Sequence, residues 1–273
     1  MAGKSGTASG ERVGYRVEKG VAIFELNDPP ANTYTYEMNK ELDGRILEAR
    51  MDDDVHVIVI RGAGEKFFSA GANIRMLSEV TPAFKYNFCL HANETLLRLE
   101  HTPKLVIAAL NGHAVGGGLE IALAADMRIA REGAGMVGAP EVDLGVLPGT
   151  GGTQRLSRLL GKTRAMQMMF EGAKFDYERA LELGLVNYLW PAEENGRGWW
   201  DRVMEYAWSF CPPHKASKAV GRIKRAVQTG WEIPIEAALG LERELQQQLF
   251  QSEDAAEGLA AYNEKRKPQF KGR

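Results

Sequence analysis

Three consecutive glycines, Gly116-Gly117-Gly118, stand between the apolar run Leu105–Leu110 and a second apolar stretch, Leu119–Ala125. The interior of a regular strand or helix is weakened by such a run, so the chain must turn there, with backbone free to approach a ligand without side-chain clash. The run before it is short and apolar throughout, as a buried strand requires, and the stretch after it reads as a helix. A strand, a glycine turn and a helix make an α/β unit with a crossover connection, which excludes a β-sandwich. The glycines are also concentrated: 11 of 30 fall within the 41 residues from Gly112 to Gly152, where an even spread gives about 4 or 5. They show no period-three repeat, so a collagen-like chain is excluded.

The same alternation runs along the chain. Val13–Val17 and Val21–Leu26 flank Lys19-Gly20 and predict a hairpin, which Asp28-Pro29-Pro30 ends. Met38, Leu42, Ile46 and Ala49 recur at helical spacing over 36–51, followed by a strand at His56–Arg61 and a helix over Pro82–Leu99. The strand and helix rhythm continues to Trp190 and stops at Pro191. Beyond it, Gly198–Phe210, Lys215–Gln228 and Pro234–Phe250 predict helices only, the last with Ala238, Leu241, Leu245 and Leu249 as its apolar stripe. The expected organisation is a disordered polar leader over 1–12, an α/β core over 13–196 and a helical module over 197–273. That stripe packs either within the chain or against another subunit.

Several function classes fall away. The 34 Lys and Arg nearly balance the 36 Asp and Glu, giving a net charge of −2, which argues against bulk electrostatic binding of nucleic acid. Cys89 and Cys211 make neither a disulfide framework nor a C-x-x-C site, and the five histidines lack ligand spacing, so no metal is expected. The first residues have no apolar signal core, and no apolar run approaches the roughly 20 residues of a membrane span, so a cytoplasmic location and no membrane partner are expected. Gly133-Ala-Gly-Met-Val-Gly138 matches a dinucleotide fingerprint, but Ala139-Pro140 follows where a helix would have to open. Gly161-Lys162-Thr163 resembles the end of a phosphate loop, yet Leu156 stands where its first glycine belongs. A G-x-S-x-G nucleophile turn is absent from the sequence.

The glycine turn therefore carries the chemistry. An amide at a helix start lacks an intrahelical acceptor, so the Gly117 N–H is suited to hold a carbonyl oxygen or an oxyanion. Glu120 follows among Leu119, Ile121, Ala122 and Leu123, company that raises a carboxyl pKa toward the range of a general acid or base. The same residues also fit a plain glycine turn with a glutamate facing the helix dipole. Phe67-Phe-Ser-Ala-Gly-Ala-Asn-Ile-Arg75 supplies a second small-residue turn. Ala139-Pro-Glu141 opens a mostly apolar loop with a second carboxylate, in which Asp143 points away or caps the loop.

These segments together resemble the crotonase, or enoyl-CoA hydratase/isomerase, superfamily from about Val13 to the C-terminus. The resemblance rests on Ser-Ala-Gly-Ala at 69–72, Asn-Gly-x-Ala-x-Gly-Gly-Gly at 111–118, Pro-Glu at 140–141 with Leu-Pro-Gly-Thr-Gly-Gly-Thr-Gln-Arg at 147–155, Gly-Leu-Val at 184–186 and Glu-Lys-Arg-Lys-Pro at 264–268.

It implies a spiral of β-β-α turns with a C-terminal helical oligomerisation module that builds homotrimers, which pair into hexamers. It implies that the amides of Ala72 and Gly117 bind the thioester oxygen of an acyl-CoA, an arrangement shared by hydratases, isomerases, hydrolases and decarboxylases. Members that add water to a 2-enoyl-CoA resemble this chain in carrying both glutamates. Glu120 would then activate the water attacking C3, and Glu141 would protonate C2 or share that water. Ala70 and Ile74 would receive the adenine and pantetheine of CoA through backbone atoms, while Tyr262 and Lys265 would approach the CoA of a neighbouring subunit. CoA belongs to the substrate, and no separate cofactor is implied.

An enoyl-CoA or dienoyl-CoA isomerase is the alternative, and an RNA-binding relative a remote one, for which Lys215–Lys224 and Lys265–Lys271 are only modestly basic. Phe84, Phe88 and His91 line an acyl pocket or belong to the core. The chain departs from the family pattern at Asn73, where aspartate is common, and at Leu105, where proline is common. The Glu120–Glu141 spacing is longer than usual, which predicts a longer turn over Gly133–Gly138.

Overall fold

The computed structural model describes residues 10–273. Strands β1 (Val13–Glu18) and β2 (Val21–Leu26) form the expected hairpin, with Lys19 and Gly20 at φ +49° and +82° turning it. Helix α1 (Tyr36–Met51) starts at Thr35, whose side chain accepts from the Met38 amide at 3.3 Å, and its stripe Met38, Leu42, Ile46 and Ala49 is fully buried.

The chain then repeats one pattern. Strand β3 (Val57–Gly62) enters a large sheet, β4 (Phe67–Ser69) enters a small one, and helices α2 (Ile74–Glu79) and α3 (Pro82–Glu100) return the chain. The next turn is β5 (Leu105–Leu110), β6 (His113–Val115) and α4 (Gly117–Leu123). After it come β7 (Met127–Arg131), β8 (Met136–Gly138), a 3-10 turn at Glu141–Leu144, and helices α5 (Gly152–Leu160) and α6 (Lys162–Phe170). Strand β9 (Lys174–Asp176), α7 (Tyr177–Glu182) and β10 (Tyr188–Trp190) close the spiral. The large sheet has the order β1-β2-β3-β5-β7-β10 and is parallel from β2 onward. The small sheet has the order β4-β6-β8-β9, with only β9 antiparallel.

A parallel sheet covered on both faces needs apolar residues at every position, which is why these strands read as unbroken apolar runs. In β5, Val106, Ala108 and Leu110 face the main core with α1 and α3, while Leu105, Ile107 and Ala109 face the other way. That outer face is covered by α8 (Trp199–Trp208), whose Trp199, Val203, Met204 and Ala207 are buried against Val21, Ile23, Val57 and Val59. Helix α8 thus packs directly on the large sheet, and a small hairpin, β11 (Glu193–Glu194) with β12 (Arg197–Gly198), precedes it. Helices α9 (Ser217–Trp231), α10 (Ile235–Phe250) and α11 (Glu253–Asn263) follow. Sequence periodicity did not reveal α11, although Ser252 caps it by accepting from the Ala255 amide. Lys224 of α9 pairs with Asp126 at 2.8 Å, largely out of solvent, and ties this region to the end of α4.

Residues 1–9 of the expected leader lie outside the described residues, and its last two are held in place. The Arg12 amide donates to Glu41 at 2.7 Å, and Arg45 pairs with Glu11 at 3.2 Å. Gly133 and Gly135, both at positive φ, form the turn between β7 and β8, so no helix opens at the dinucleotide-like motif. Among the described residues no helix is long and apolar enough to cross a membrane.

Candidate active site

Buried Asn111 sets the geometry of the glycine turn. Its side chain accepts from the Gly62 amide at 2.9 Å and donates to the carbonyls of Gly62 and Gly64, locking the end of β5 to the end of β3. The buried Tyr177 hydroxyl donates to the Gly112 carbonyl at 2.6 Å. The turn beyond is closed by neighbours that leave no room for side chains. A Cβ on Gly117 would lie 1.9 Å from the Tyr34 ring, and one on Gly118 would lie 2.1 Å from the Ser69 carbonyl oxygen. Gly116 caps α4 at φ +55°, a conformation that strains other residues.

The second small-residue turn meets the first. Gly71, at φ +84°, brings the 69–72 segment so close that a Cβ there would be 2.7 Å from the Gly117 nitrogen. Ala72 bridges to Tyr34 through its neighbours: the Gly71 carbonyl accepts from the Tyr34 amide, and the Asn73 amide donates to the Tyr34 carbonyl. This pattern leaves the Ala72 N–H out of the bridge, as the start of α4 leaves the Gly117 N–H without an intrahelical acceptor. Two amides from separate loops thereby border one cavity of about 130 Å³, lined by Ala70, Ala72, Ile74, Gly117, Glu120 and Glu141 among others. Asn73, the departure from the family pattern, accepts from the Met76 amide and caps α2, and that duty needs no charge.

The two carboxyl groups differ. Glu120, 3% exposed, accepts at Oε1 from the amides of Thr150 at 2.8 Å and Gly152 at 2.7 Å, and at Oε2 from the Thr150 hydroxyl. Arg155 steadies that loop: it donates to the Thr150 carbonyl at 3.0 Å and forms two parallel bonds of 2.8 and 2.7 Å to Glu100 of α3. At the other end of α4, the buried Arg128 guanidinium donates to the Ala125 and Ala122 carbonyls and satisfies the helix C-terminus. Glu141 is less fully partnered. Its Oε2 is buried without a hydrogen bond, and burial first, then the charge of Glu120, push its carboxyl up to about 7. Asp143 lies by Gly172, away from the cavity, as expected.

Six of the eight sequence-predicted site residues line this one cavity: Ala70, Ala72, Ile74, Gly117, Glu120 and Glu141. Tyr262, 84% exposed, and Lys265 lie at and beyond the end of α11 and do not line it. Phe84, Phe88 and His91 do not line it either. Phe88 is buried and stacks on Tyr34 at 5.6 Å, and α3 presents Lys85 to the cavity instead. Sequence reasoning missed Tyr34, Lys85 and Thr150. Thr150 was inside a recognised motif without an assigned role, whereas Tyr34 lies 116 positions from its partner Thr150 and carried no local signal.

The spiral of strand pairs and helices, with two facing amide turns where its turns converge, is the crotonase fold. The chain matches the enoyl-CoA hydratase/isomerase family over residues 16–273 and belongs to it. It is 39% identical over 257 residues to a short-chain-enoyl-CoA hydratase of Clostridium acetobutylicum, covering 93% of this chain and 95% of that protein. It is 35% identical over 256 residues to a 2,3-dehydroadipyl-CoA hydratase of Escherichia coli, covering 93% and 96%. A crystal structure of an enoyl-CoA hydratase from Geobacillus kaustophilus superimposes with a TM-score of 0.92 at 45% identity, covering 96% and 97%. The protein is an enzyme of the enoyl-CoA hydratase/isomerase type, for which an acyl-CoA thioester is the fitting substrate class.

Proposed function

We propose that the protein adds water across the C2–C3 double bond of a 2-enoyl-CoA. The observation that carries this reading is the pairing of two unlike carboxyl groups, Glu120 held by three donors and Glu141 with a buried, unpartnered oxygen, in the cavity bordered by the Ala72 and Gly117 amides. The thioester oxygen would accept from both amides, which stabilise the negative charge that grows on it as the enolate forms. Glu120, as carboxylate, would take a proton from a water as its oxygen bonds to C3. Glu141, protonated near neutral pH, would give its proton to C2. One water is consumed, the double bond is lost, and a proton passing from Glu120 to Glu141 restores the starting state. Water adds with no net gain or loss of electrons, so the step calls for no redox cofactor.

The bent pantetheine and adenine would run past Ala70 and Ile74. The Ala70 amide already donates to Ala31 at 3.0 Å, so its carbonyl is the group left for the adenine. Tyr262 and Lys265, exposed and not lining this cavity, would serve a neighbouring subunit in a homotrimer or hexamer. Ile223, Val227, Trp231, Ile235 and Phe250 leave a largely apolar, exposed surface on α9 and α10 that fits such contacts.

Loss of conjugated-enoyl absorbance with crotonyl-CoA and longer homologues tests the reaction. Hydration is the expected result. A double-bond shift on a 3-enoyl-CoA without water uptake would make the enzyme an isomerase, and no change in any 2-enoyl-CoA would end the hydratase reading. Sedimentation velocity would report the assembly.

A further inference from the structure

Glu120 is held by more than backbone amides. The Thr150 hydroxyl has a single proton, and it is directed to Glu120 Oε2. The Tyr34 hydroxyl lies 3.3 Å from the same Thr150 oxygen. With the threonine proton committed to a carboxylate, the tyrosine must be the donor in that second contact. The two hydroxyls therefore form a directed chain, Tyr34 O–H to Thr150 O–H to Glu120. The chain is rigid at both ends. The Tyr34 ring, 3% exposed, stacks on Phe88, and its edge fills the space beside Gly117. Thr150, 2% exposed, has its amide on Glu120 and its carbonyl on Arg155. One tyrosine thus touches both the oxyanion turn and the donors of the proposed base.

We propose that Tyr34 and Thr150 are positioning residues: their hydroxyl chain donates to Glu120 and fixes its orientation beside the oxyanion turn. Every donor in the chain stabilises the charged carboxyl and not the neutral one. Thr150 acts on Glu120 directly and Tyr34 acts through Thr150 by polarising its hydroxyl. The charged or titratable groups around the chain are Glu141 from the 3-10 turn, Lys85 and Cys89 from α3, and Arg155 from α5. None of these side chains donates to Glu120, whereas Thr150 does, so the chain is separable from the rest of the site by substitutions that preserve shape.

This inference rests on Glu120 acting as the base in hydration, and the experiment separates the two. Thr150→Val keeps the shape and deletes the hydroxyl, Thr150→Ser keeps the hydroxyl, and Tyr34→Phe removes only the far donor. The acidic limb of kcat/KM should move up by about 1 pH unit in Thr150→Val, the size expected for one hydrogen bond to a charged oxygen. It should stay in place in Thr150→Ser and move by less than about half a unit in Tyr34→Phe. A role in folding alone would lower activity equally at all pH values. Carbon-13 NMR titration of the glutamate carboxyls in the ligand-free protein, with Glu120 assigned by the signal missing in Glu120→Gln, should show the same order. If folded Thr150→Val titrates at Glu120 as the wild type does, the hydroxyl chain is overturned. A wild type inactive on every enoyl-CoA would overturn the hydratase reading, and the NMR titration would still judge the chain.

Discussion

The two sides of the cavity are built differently. The Glu120 side is over-determined, with a carboxyl on a buried helix, three donors on its oxygens and an arginine bolting the donor loop to α3. The Glu141 side is sparse, with a carboxyl on a four-residue 3-10 turn, partly open, one oxygen orphaned and Lys85 nearby. Identical side chains a short chain distance apart thus sit in unlike settings: three donors reach one, and burial with an unpartnered oxygen holds the other's carboxyl up. The proposed hydration uses one of each.

Glutamine substitution should break this asymmetry most strongly. Glu120→Gln and Glu141→Gln should each lower kcat/KM by about 10²–10⁴, the range for loss of a general acid or base. Their stabilities should diverge. In Glu120→Gln an amide NH₂ would face the Thr150 and Gly152 donors, and unfolding experiments should show a loss of about 1–3 kcal/mol. Glu141→Gln removes a poorly solvated acid and should unfold no more easily than the wild type at neutral pH. Equal destabilisation of the two variants would contradict the contrast.

Gly117→Ala comes next. The added methyl would fall 1.9 Å from the Tyr34 ring, so the ring must move, the oxyanion amide must shift, or both. We expect about 1–3 kcal/mol of lost stability from overpacking, and about 10²–10³ in kcat if the amide is displaced. Measured together, a kcat loss without loss of stability would show that the turn yields before the aromatic packing does.

Much of the Glu120 side was legible in the sequence because it is local. The strand, the glycines and the glutamate are contiguous from Leu105 to Glu120, and the periodicities of 2 and 3.6 marked their setting. The donors to Glu120 were not legible, because they come from a loop 30 positions away, and Tyr34, which backs the Thr150 hydroxyl, comes from near the start of the chain. The apolar neighbours of Glu120 in sequence suggested a shifted carboxyl, but composition cannot show which polar groups a fold will deliver to it. The packing of α8 was hidden for a related reason. Gly198–Phe210 has helical periodicity, and only tertiary packing reveals that Trp199 and Val203 cover the sheet.

The smallest expected effect tests the Glu141 side through pH alone. Its folded carboxyl is raised to about 7 from the ordinary value of 4.5. Between those values the folded state binds more protons at this position than the unfolded state, so stability falls as pH rises through the window and the loss is complete above about 7. Allowing for solvent screening at this partly open position, the contribution is about 1–2 kcal/mol. Other groups titrate too, so the informative quantity is the difference between wild type and Glu141→Gln in denaturant unfolding at pH 5 and pH 8. The variant should gain stability relative to the wild type on going to pH 8, because it has no proton to lose. If the difference is flat, Glu141 is ionised in the folded protein well below neutrality, and the proton for C2 must come from elsewhere.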